Sequence, residues 1–489
     1  MPSAREFEAV VAVRYRTGQV MSQTNEQSAL PTTFAIVGAG PAGLVAARAF
    51  RRYGLDVEIL ERWNQPGGLW NIDQPGSPLY DSCNFICSRD FGGFIGYPMP
   101  ADYPIYPRWD QIRDYIQAFA RHEGLDQLIT FGADVSEAKP VSDERGDYWV
   151  VTTADGRTKE YRGVVYAGGA QWTPFRPAIP GEETFTGEII HSAEYNSTRQ
   201  FHDKRVLVVG AGNSGVDIVS DAAFHAKKAY LSTRRGYWFF PKVAYGTAVP
   251  DIFQGLAQIP PTSLFDAPNF EQAVELIVAG VGDLSTYGLP QPDHAPATTH
   301  PIANNQVLHA LSHGLLEHRP GIDRIDGSTV YFTDGRELEL DLIVLATGFD
   351  IEIPWLPEGA VEEKDGHPQF VLGALAPHSP GLYASGVLHF ADCTFSMFDE
   401  LVNVAAADAN ALVNGDNLEN IERLRREYRP NLQGDFPFLQ VRRNVNQINV
   451  PTLRAVQEEL RTEFGIEIPH YPGDEDFYKT PARNAAVAV

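Results

Sequence analysis

Residues 34 to 44 read Phe34-Ala35-Ile36-Val37-Gly38-Ala39-Gly40-Pro41-Ala42-Gly43-Leu44. Four apolar residues suit a short buried strand, and the Ala/Leu-rich run to Tyr53 suits a helix. Between them lies G-x-G-x-x-G, with Pro41 and Ala42 opening the helix. Gly38 permits a tight turn, Gly40 lets backbone approach a pyrophosphate, and Gly43 lets the helix pack closely on the strand. The helix N-terminus then presents free N–H groups to an anion. A second strand, Val57-Glu58-Ile59-Leu60, ends in Glu61, eighteen residues past Gly43. A carboxylate there takes both hydroxyls of an unphosphorylated adenosine ribose, as in FAD or NAD. After Arg62 come Gly67-Gly68-Leu69-Trp70. The two glycines allow backbone to lie against a flat ring, and Trp70 can wall the pocket.

The same plan recurs. Arg205 to Val209 form a strand pattern followed by Gly210-Ala211-Gly212-Asn213-Ser214-Gly215 and a helix. The next strand, Ala229 to Ser232, runs into Thr233-Arg234-Arg235 with no acid where Glu61 stands in the first unit. Two guanidiniums suit a 2′-phosphate, which a carboxylate repels, so this unit reads as an NADPH site. Each unit also closes alike. Asp155-Gly156 and Asp334-Gly335 are hairpin signals. Twelve residues past each Asp, a strand ends in Ala167-Gly168-Gly169 or Ala346-Thr347-Gly348.

The expected fold is therefore α/β, with two Rossmann-type dinucleotide-binding domains and the FAD domain completed by the C-terminal segment. Residues 1–31 are predicted to be a flexible extension, with Met1 or Met21 as the start. Residues 32–180 begin the FAD domain. Residues 181–350 form the NADP domain, with an insertion at about 240–302. Residues 351–489 return to the FAD domain and add C-terminal helices. Ile112, Tyr115, Ile116 and Phe119 behind Asp110, and Leu453, Val456, Leu460 and Phe464 behind Pro451 and Thr452, follow helical spacing and read as core-facing stripes.

Composition narrows the function. The 489 residues are 43% hydrophobic and 21% charged, as in a folded globular protein. A formal net charge of −24 speaks against nucleic acid and anionic membrane surfaces. No stretch reads as a spanning helix or signal peptide. Three cysteines make no disulfide framework, so a reducing cytoplasm is expected. Cys83 and Cys87 are spaced C-x3-C, which offers neither a C-x2-C dithiol nor a metal set.

Over residues 33 to 410 the chain resembles the flavin-containing monooxygenases, the class B flavoprotein monooxygenases. Five elements carry the likeness: Gly38–Gly43, Glu61-Arg62 leading to Gly68-Leu69-Trp70, residues 185–195, Gly210–Gly215, and Ala346-Thr347-Gly348-Phe349. Residues 185–195 fit the fingerprint F-x-G-x-x-x-H-x-x-x-Y through Phe185, Gly187, His191 and Tyr195. Asn196 replaces the usual basic residue, and the Trp-Pro ending of the related Baeyer–Villiger fingerprint is absent. The resemblance gives His191 a role in coupling the two domains. Where the family commonly has T-N-x-[SP] near the flavin, this chain has Tyr80 to Arg89. That stretch is similar to a subgroup with a polar residue near Asn84 ahead of a Ser-Arg pair. Asn84, then Ser88, are the candidates near the reacting oxygen.

The resemblance implies an FAD- and NADPH-dependent monooxygenase that forms a C4a-hydroperoxyflavin from O2 and passes one oxygen atom to a small organic molecule, at nitrogen or sulfur. Arg234 and Arg235 would hold the coenzyme phosphate, Thr347 and Gly348 would belong to the cofactor site, and no metal is called for. Baeyer–Villiger oxygenation of a ketone, a flavin reductase without oxygenation, and a redox-sensing protein remain open, as does a homodimer. The aromatic stretch Phe239 to Pro301 either roofs the active site or covers the NADPH unit.

Overall fold

Phe34–Val37 forms a strand because four consecutive apolar residues can be buried on both faces only at the centre of a parallel sheet. In a computed structural model that describes residues 29–253, 270–470 and 476–479, it pairs in parallel with Val57–Glu61 on one side and Gly163–Tyr166 on the other. Ile129–Phe131 and Leu382–Ala384 complete the sheet at its two edges. The second sheet repeats the pattern around Arg205–Val209, flanked by Lys228–Ser232 and Leu342–Leu345, with Leu316–Arg319 and Glu188–His191 outermost. Each unit adds a three-stranded antiparallel sheet before its closing strand: residues 135–161 in the first, 322–339 in the second. Both Asp-Gly turns take their predicted place, with Gly156 and Gly335 at φ +84° and +82°. The early part of the N-terminal extension, including Met21, and the C-terminal Ala485–Val489 lie outside the described residues.

The repeat extends to atomic detail. Gly38 (φ +113°) and Gly210 (φ +107°) each press on the end of a closing strand; a Cβ would fall 2.5 Å from the Ala167 and Ala346 carbonyl oxygens, respectively. Gly43 and Gly215 sit in the first helical turn, where a Cβ would come 1.9 and 2.1 Å from the Gly38 and Gly210 oxygens. These glycines are required by close backbone approach.

The first glycine loop opens the helix Pro41–Arg52, covered by the C-terminal helix Thr394–Asn414 through an Arg48–Asp399 ion pair. The first predicted apolar stripe lies on the helix Trp109–His122; of the second, Leu453, Val456 and Leu460 lie on the helix Val450–Thr462, while Phe464, also buried, falls just past its end. The first helix starts just ahead of Asp110, which instead pairs with the N-cap residue Arg108 at 2.9 Å. Among the described residues, no helix is long and apolar enough to cross a membrane.

Candidate active site

Glu61 ends its strand 5% exposed, one oxygen accepting from Ala39 N–H at 2.7 Å and the other from Trp63 N–H at 2.9 Å. Burial raises its pKa, against the pull of those two N–H groups. Each oxygen keeps a lone pair for a further donor, so the carboxylate both fixes the first glycine loop and can receive ribose hydroxyls. Gly67 N–H donates to Ala39 O at 3.0 Å, and a Cβ at Gly68 would be 3.1 Å from Gly40 Cα. Gly40 and Gly68 thus meet backbone to backbone. Beside them a cleft of about 490 Å³ is lined by residues including Arg62, Trp63, Asn71, Gln74 and Arg113. Asn71 Oδ1 and Gln74 Oε1 are buried there without a partner among the described residues. Arg62 lies over the Trp172 ring at 4.4 Å. Leu69 holds the loop through its carbonyl, which accepts from Ser77 Oγ at 2.9 Å. An acid, unpartnered amide oxygens and side-chain-free backbone suit the adenosine diphosphate half of FAD.

In the second unit Gly212 differs from its neighbours. Its backbone (φ −72°) suits any residue, and a Cβ there would meet nothing within 4 Å. The surrounding described residues therefore do not demand glycine here, unlike at Gly210 and Gly215. Asn213 ties the loop to the returning insertion, donating to Pro301 O at 3.2 Å and accepting from Ala303 N–H at 2.9 Å. Ser214 follows, partly buried, in the first helical turn. At the end of the Lys228–Ser232 strand, Arg234 is exposed and makes no ion pair or hydrogen bond among the described residues. Arg235 is partly buried and stands in the field of Asp293, whose pKa is lowered first by His294 and less by Arg235. Neither has an ion pair or hydrogen bond among the described residues, and Arg234 is the more exposed of the two.

The chain crosses between units at Thr173–Pro174 and returns at Phe349–Asp350, and these pair as antiparallel strands. His191 sits at this crossing, fully buried. Its Nδ1 accepts from Ala193 N–H at 3.1 Å, so Nε2 carries the proton and donates to Gly348 O at 3.1 Å. Burial pushes its pKa down, which keeps the ring neutral. Thr347 Oγ1 donates to Phe175 O at 2.5 Å, and Phe175 N–H donates to Gly348 O at 2.9 Å. Gly187 is required by packing, since a Cβ would meet Asp341 O at 2.5 Å and the Phe185 ring at 2.7 Å. Tyr195, fully buried, stacks on Phe201 and donates to Asp221 at 2.9 Å.

Asp221 and Asp217 lie one turn apart on the helix Asn213–His225 and were not singled out from sequence. Asp217 accepts from Tyr80 at 3.2 Å and Asp221 from Ser82, so the helix behind the second glycine loop grips the 80–84 segment of the first unit. Leu79, Tyr80 and Cys83 pack in the second unit's core. Spacing four apart marks one helix face, but the remote partners leave no local pattern.

Asn84 is partly buried and donates one amide N–H to Tyr106 O at 3.2 Å. The adjacent Phe85 ring lies 5.6 Å from Trp70 and 5.2 Å from Phe395, so Asn84 borders the aromatic wall of the Gly67–Trp70 loop. Ser88 is different. Fully buried, its hydroxyl donates to Asp251 and accepts from Phe91 N–H at 3.1 Å. Tyr106 likewise donates to Lys242 O. The insertion is therefore fastened to the 84–108 segment as well as to the second glycine loop; its residues 254–269 lie outside the described residues. Cys83 is not paired with Cys87, whose thiol meets Cys393 instead, and all three cysteines are free and buried.

Two glycine loops, one with an acid and one with arginines, joined through a buried histidine, define a flavoprotein that takes electrons from NADPH. The sequence profile of the flavin-binding monooxygenase-like family matches residues 32–373. The chain belongs to that family and is an FAD-dependent NADPH monooxygenase. It is 32% identical over 362 residues to a probable indole-3-pyruvate monooxygenase, YUCCA9, of Arabidopsis thaliana, covering 72% of this chain and 83% of the relative. It is 30% identical over 359 residues to flavin-containing monooxygenase 1 of Rattus norvegicus, covering 71% and 67%. Its fold matches that of OTEMO, solved in complex with FAD and NADP, with a TM-score of 0.60 and 18% identity over 79% of this chain and 86% of that one.

Proposed function

We propose that this enzyme transfers one oxygen atom from O2 to a soft nitrogen or sulfur of a small organic substrate. The observation that carries the reading is the asymmetry of the two loops: Glu61 buried at one, Arg234 exposed and without an acidic partner among the described residues at the other. It supports separate sites for FAD and NADPH within a single chain. The similarity to a flavin-containing monooxygenase and the lack of Trp-Pro after His191 favour nitrogen or sulfur over a ketone.

Bound FAD, once reduced by NADPH, supplies the oxygen chemistry. The chain's own residues do the rest. Gly38, Gly40 and Gly43 with the helix N-terminus hold the flavin nucleotide's pyrophosphate, and Glu61 orients its ribose. Gly210, Gly212 and Gly215 repeat this for the coenzyme, with Arg234 on its 2′-phosphate. His191, neutral and fixed between Ala193 and Gly348, holds the two units in register. Trp70, Phe85 and Phe395 exclude water. Asn84 has a second amide N–H beyond the one given to Tyr106 and donates it to the reacting oxygen, a fixed dipole rather than a proton source. Ser88 is a positioning residue, since Asp251 and Phe91 already occupy its hydroxyl.

The test offers the holoenzyme NADPH, O2 and, in turn, methyl phenyl sulfide, N,N-dimethylaniline and cyclohexanone. Sulfoxide or N-oxide formed with NADPH consumption supports the reading; a lactone alone overturns it in favour of ketone oxygenation. Asn84→Leu is expected to preserve flavin reduction and raise H2O2 release per NADPH. Unchanged coupling removes Asn84 from the oxygen site.

A further inference from the structure

Residues 438–448 lie beyond the family match, which ends at residue 373, yet they touch the surroundings of both glycine loops. Toward the second loop, Leu439 N–H donates to Thr298 O at 2.9 Å, and Asn444 Nδ2 donates to the same oxygen at 3.3 Å. The stretch that follows, Pro301 and the short strand Ile302–Ala303, is the one Asn213 holds. Toward the first loop, His389 N–H donates to Asn446 O at 2.9 Å, and Ile448 N–H donates to His389 O at 3.1 Å. His389 follows Ser385, whose hydroxyl donates to Ala42 O at 3.1 Å in the first glycine loop's helix. The segment therefore bridges the stretch leading to Pro301 and the stretch following Ser385, each of which is tied to one nucleotide loop.

Arg443 stands in the middle of it. Partly buried, it uses Nη2 on His300 O at 3.4 Å and pairs with no carboxylate among the described residues. Among the described residues, four of its five N–H donors have no protein acceptor. Its neighbour Arg442, by contrast, pairs with Asp350. The titratable groups that act on Arg443 or feel its charge are Tyr237, His300 and His389. None is an acid. Burial, then the nearby guanidinium, holds His300 down to about 3, and burial, then His367, holds His389 down to about 4, so both rings are neutral near neutral pH. In a chain of net charge −24, a half-buried guanidinium without a carboxylate lacks the counter-charge that burial calls for.

We propose that Arg443, beside His300 and between the two nucleotide loops, receives a carboxylate of the substrate, so that the enzyme oxygenates small organic acids. The inference rests on the reading that substrate meets the flavin between these loops. A phosphate of the coenzyme has the same chemistry. The position of Arg443 beyond the family match favours the substrate, because the coenzyme is common to the family while the substrate is particular to the chain.

The test titrates oxidised holoenzyme with benzoate and with neutral benzamide, read from the perturbation of flavin absorbance, in the wild type, Arg443→Lys and Arg443→Gln. Benzoate is expected to bind on the order of 10- to 100-fold more tightly than benzamide, the range of a charge-assisted hydrogen bond. Arg443→Gln should erase that preference and Arg443→Lys restore part of it, with FAD content and the NADP+ dissociation constant unchanged. The proposal is overturned if the wild type binds the two equally or binds neither. A variant that weakens NADP+ and leaves benzoate unchanged moves the anion site to the coenzyme phosphate, which also overturns it. Binding discrimination is read without turnover, so its failure is separable from failure of the oxygenase reading.

Discussion

Gly212→Ala separates what the fold needs from what the coenzyme needs. Gly212 already has φ −72°, and a Cβ there meets no protein atom within 4 Å. Alanine should leave stability unchanged or raise it by about 0.4–1 kcal/mol, through the smaller entropy of the unfolded chain. If the loop backbone lies against the coenzyme pyrophosphate, the added methyl occupies the ligand's space. Overpacking of about 1–3 kcal/mol corresponds to roughly 5- to 150-fold weaker NADPH binding. Gly215→Ala is the counterpart: its Cβ would lie 2.1 Å from Gly210 O, so the helix must move and the fold itself should suffer. The assay is the NADPH dependence of flavin reduction in stopped flow, with thermal melting run on the same preparations. A Gly212→Ala enzyme that binds NADPH as well as the wild type refutes the placement of the coenzyme on this loop.

Three further outcomes follow from the same geometry. Arg234→Ala, which removes an exposed and unpaired guanidinium, should raise the KM for NADPH by about 10-fold or more and leave that for NADH unchanged; an equal loss with both coenzymes removes Arg234 from the 2′-phosphate. Glu61→Ala takes away the acceptor of two backbone N–H groups and of the ribose hydroxyls, so the purified protein should carry less FAD per chain, and full flavin content contradicts the assignment. His191→Phe keeps the ring packed 5.0 Å from Phe349 but strands Ala193 N–H, lowering stability by about 1–3 kcal/mol at pH 7. The gap between wild type and this variant should narrow as pH falls below about 6.5, because unfolded histidine then takes up a proton that the buried folded ring, with its lowered pKa, resists. Thermal melts from about pH 7.5 to about pH 5, spanning the ordinary histidine range, check this, and a gap independent of pH contradicts the neutral assignment.

Much of the fold could be read locally. Each glycine loop, the strand before it and the acid or arginines after it fall within a short stretch, so spacing alone carries their meaning. Asp155-Gly156 and Asp334-Gly335 are equally local. What escaped are pairings between distant residues. Leu382–Ala384 adds three residues to a sheet whose central strand lies near residue 35, and so short an apolar run has no periodicity to distinguish it. Asp217 and Asp221 look like a solvated helix face until Tyr80, Ser82 and Tyr195 are seen to meet them. Cys87 meets Cys393, more than three hundred residues on, a contact that the C-x3-C spacing of Cys83 and Cys87 cannot announce. Ser88 and Asn84 lie four residues apart in one loop, and only their partners tell an anchored hydroxyl from an amide with a donor to give.

The central claim is that the two sites cooperate to activate O2, and the most direct measurement is stopped-flow absorbance of the NADPH-reduced protein mixed with oxygenated buffer. The account predicts a transient species absorbing to the blue of oxidised flavin's main band, longer-lived with NADP+ bound than without it. Direct return to oxidised flavin, at a rate indifferent to NADP+ and to every added amine, sulfide or acid, would contradict it.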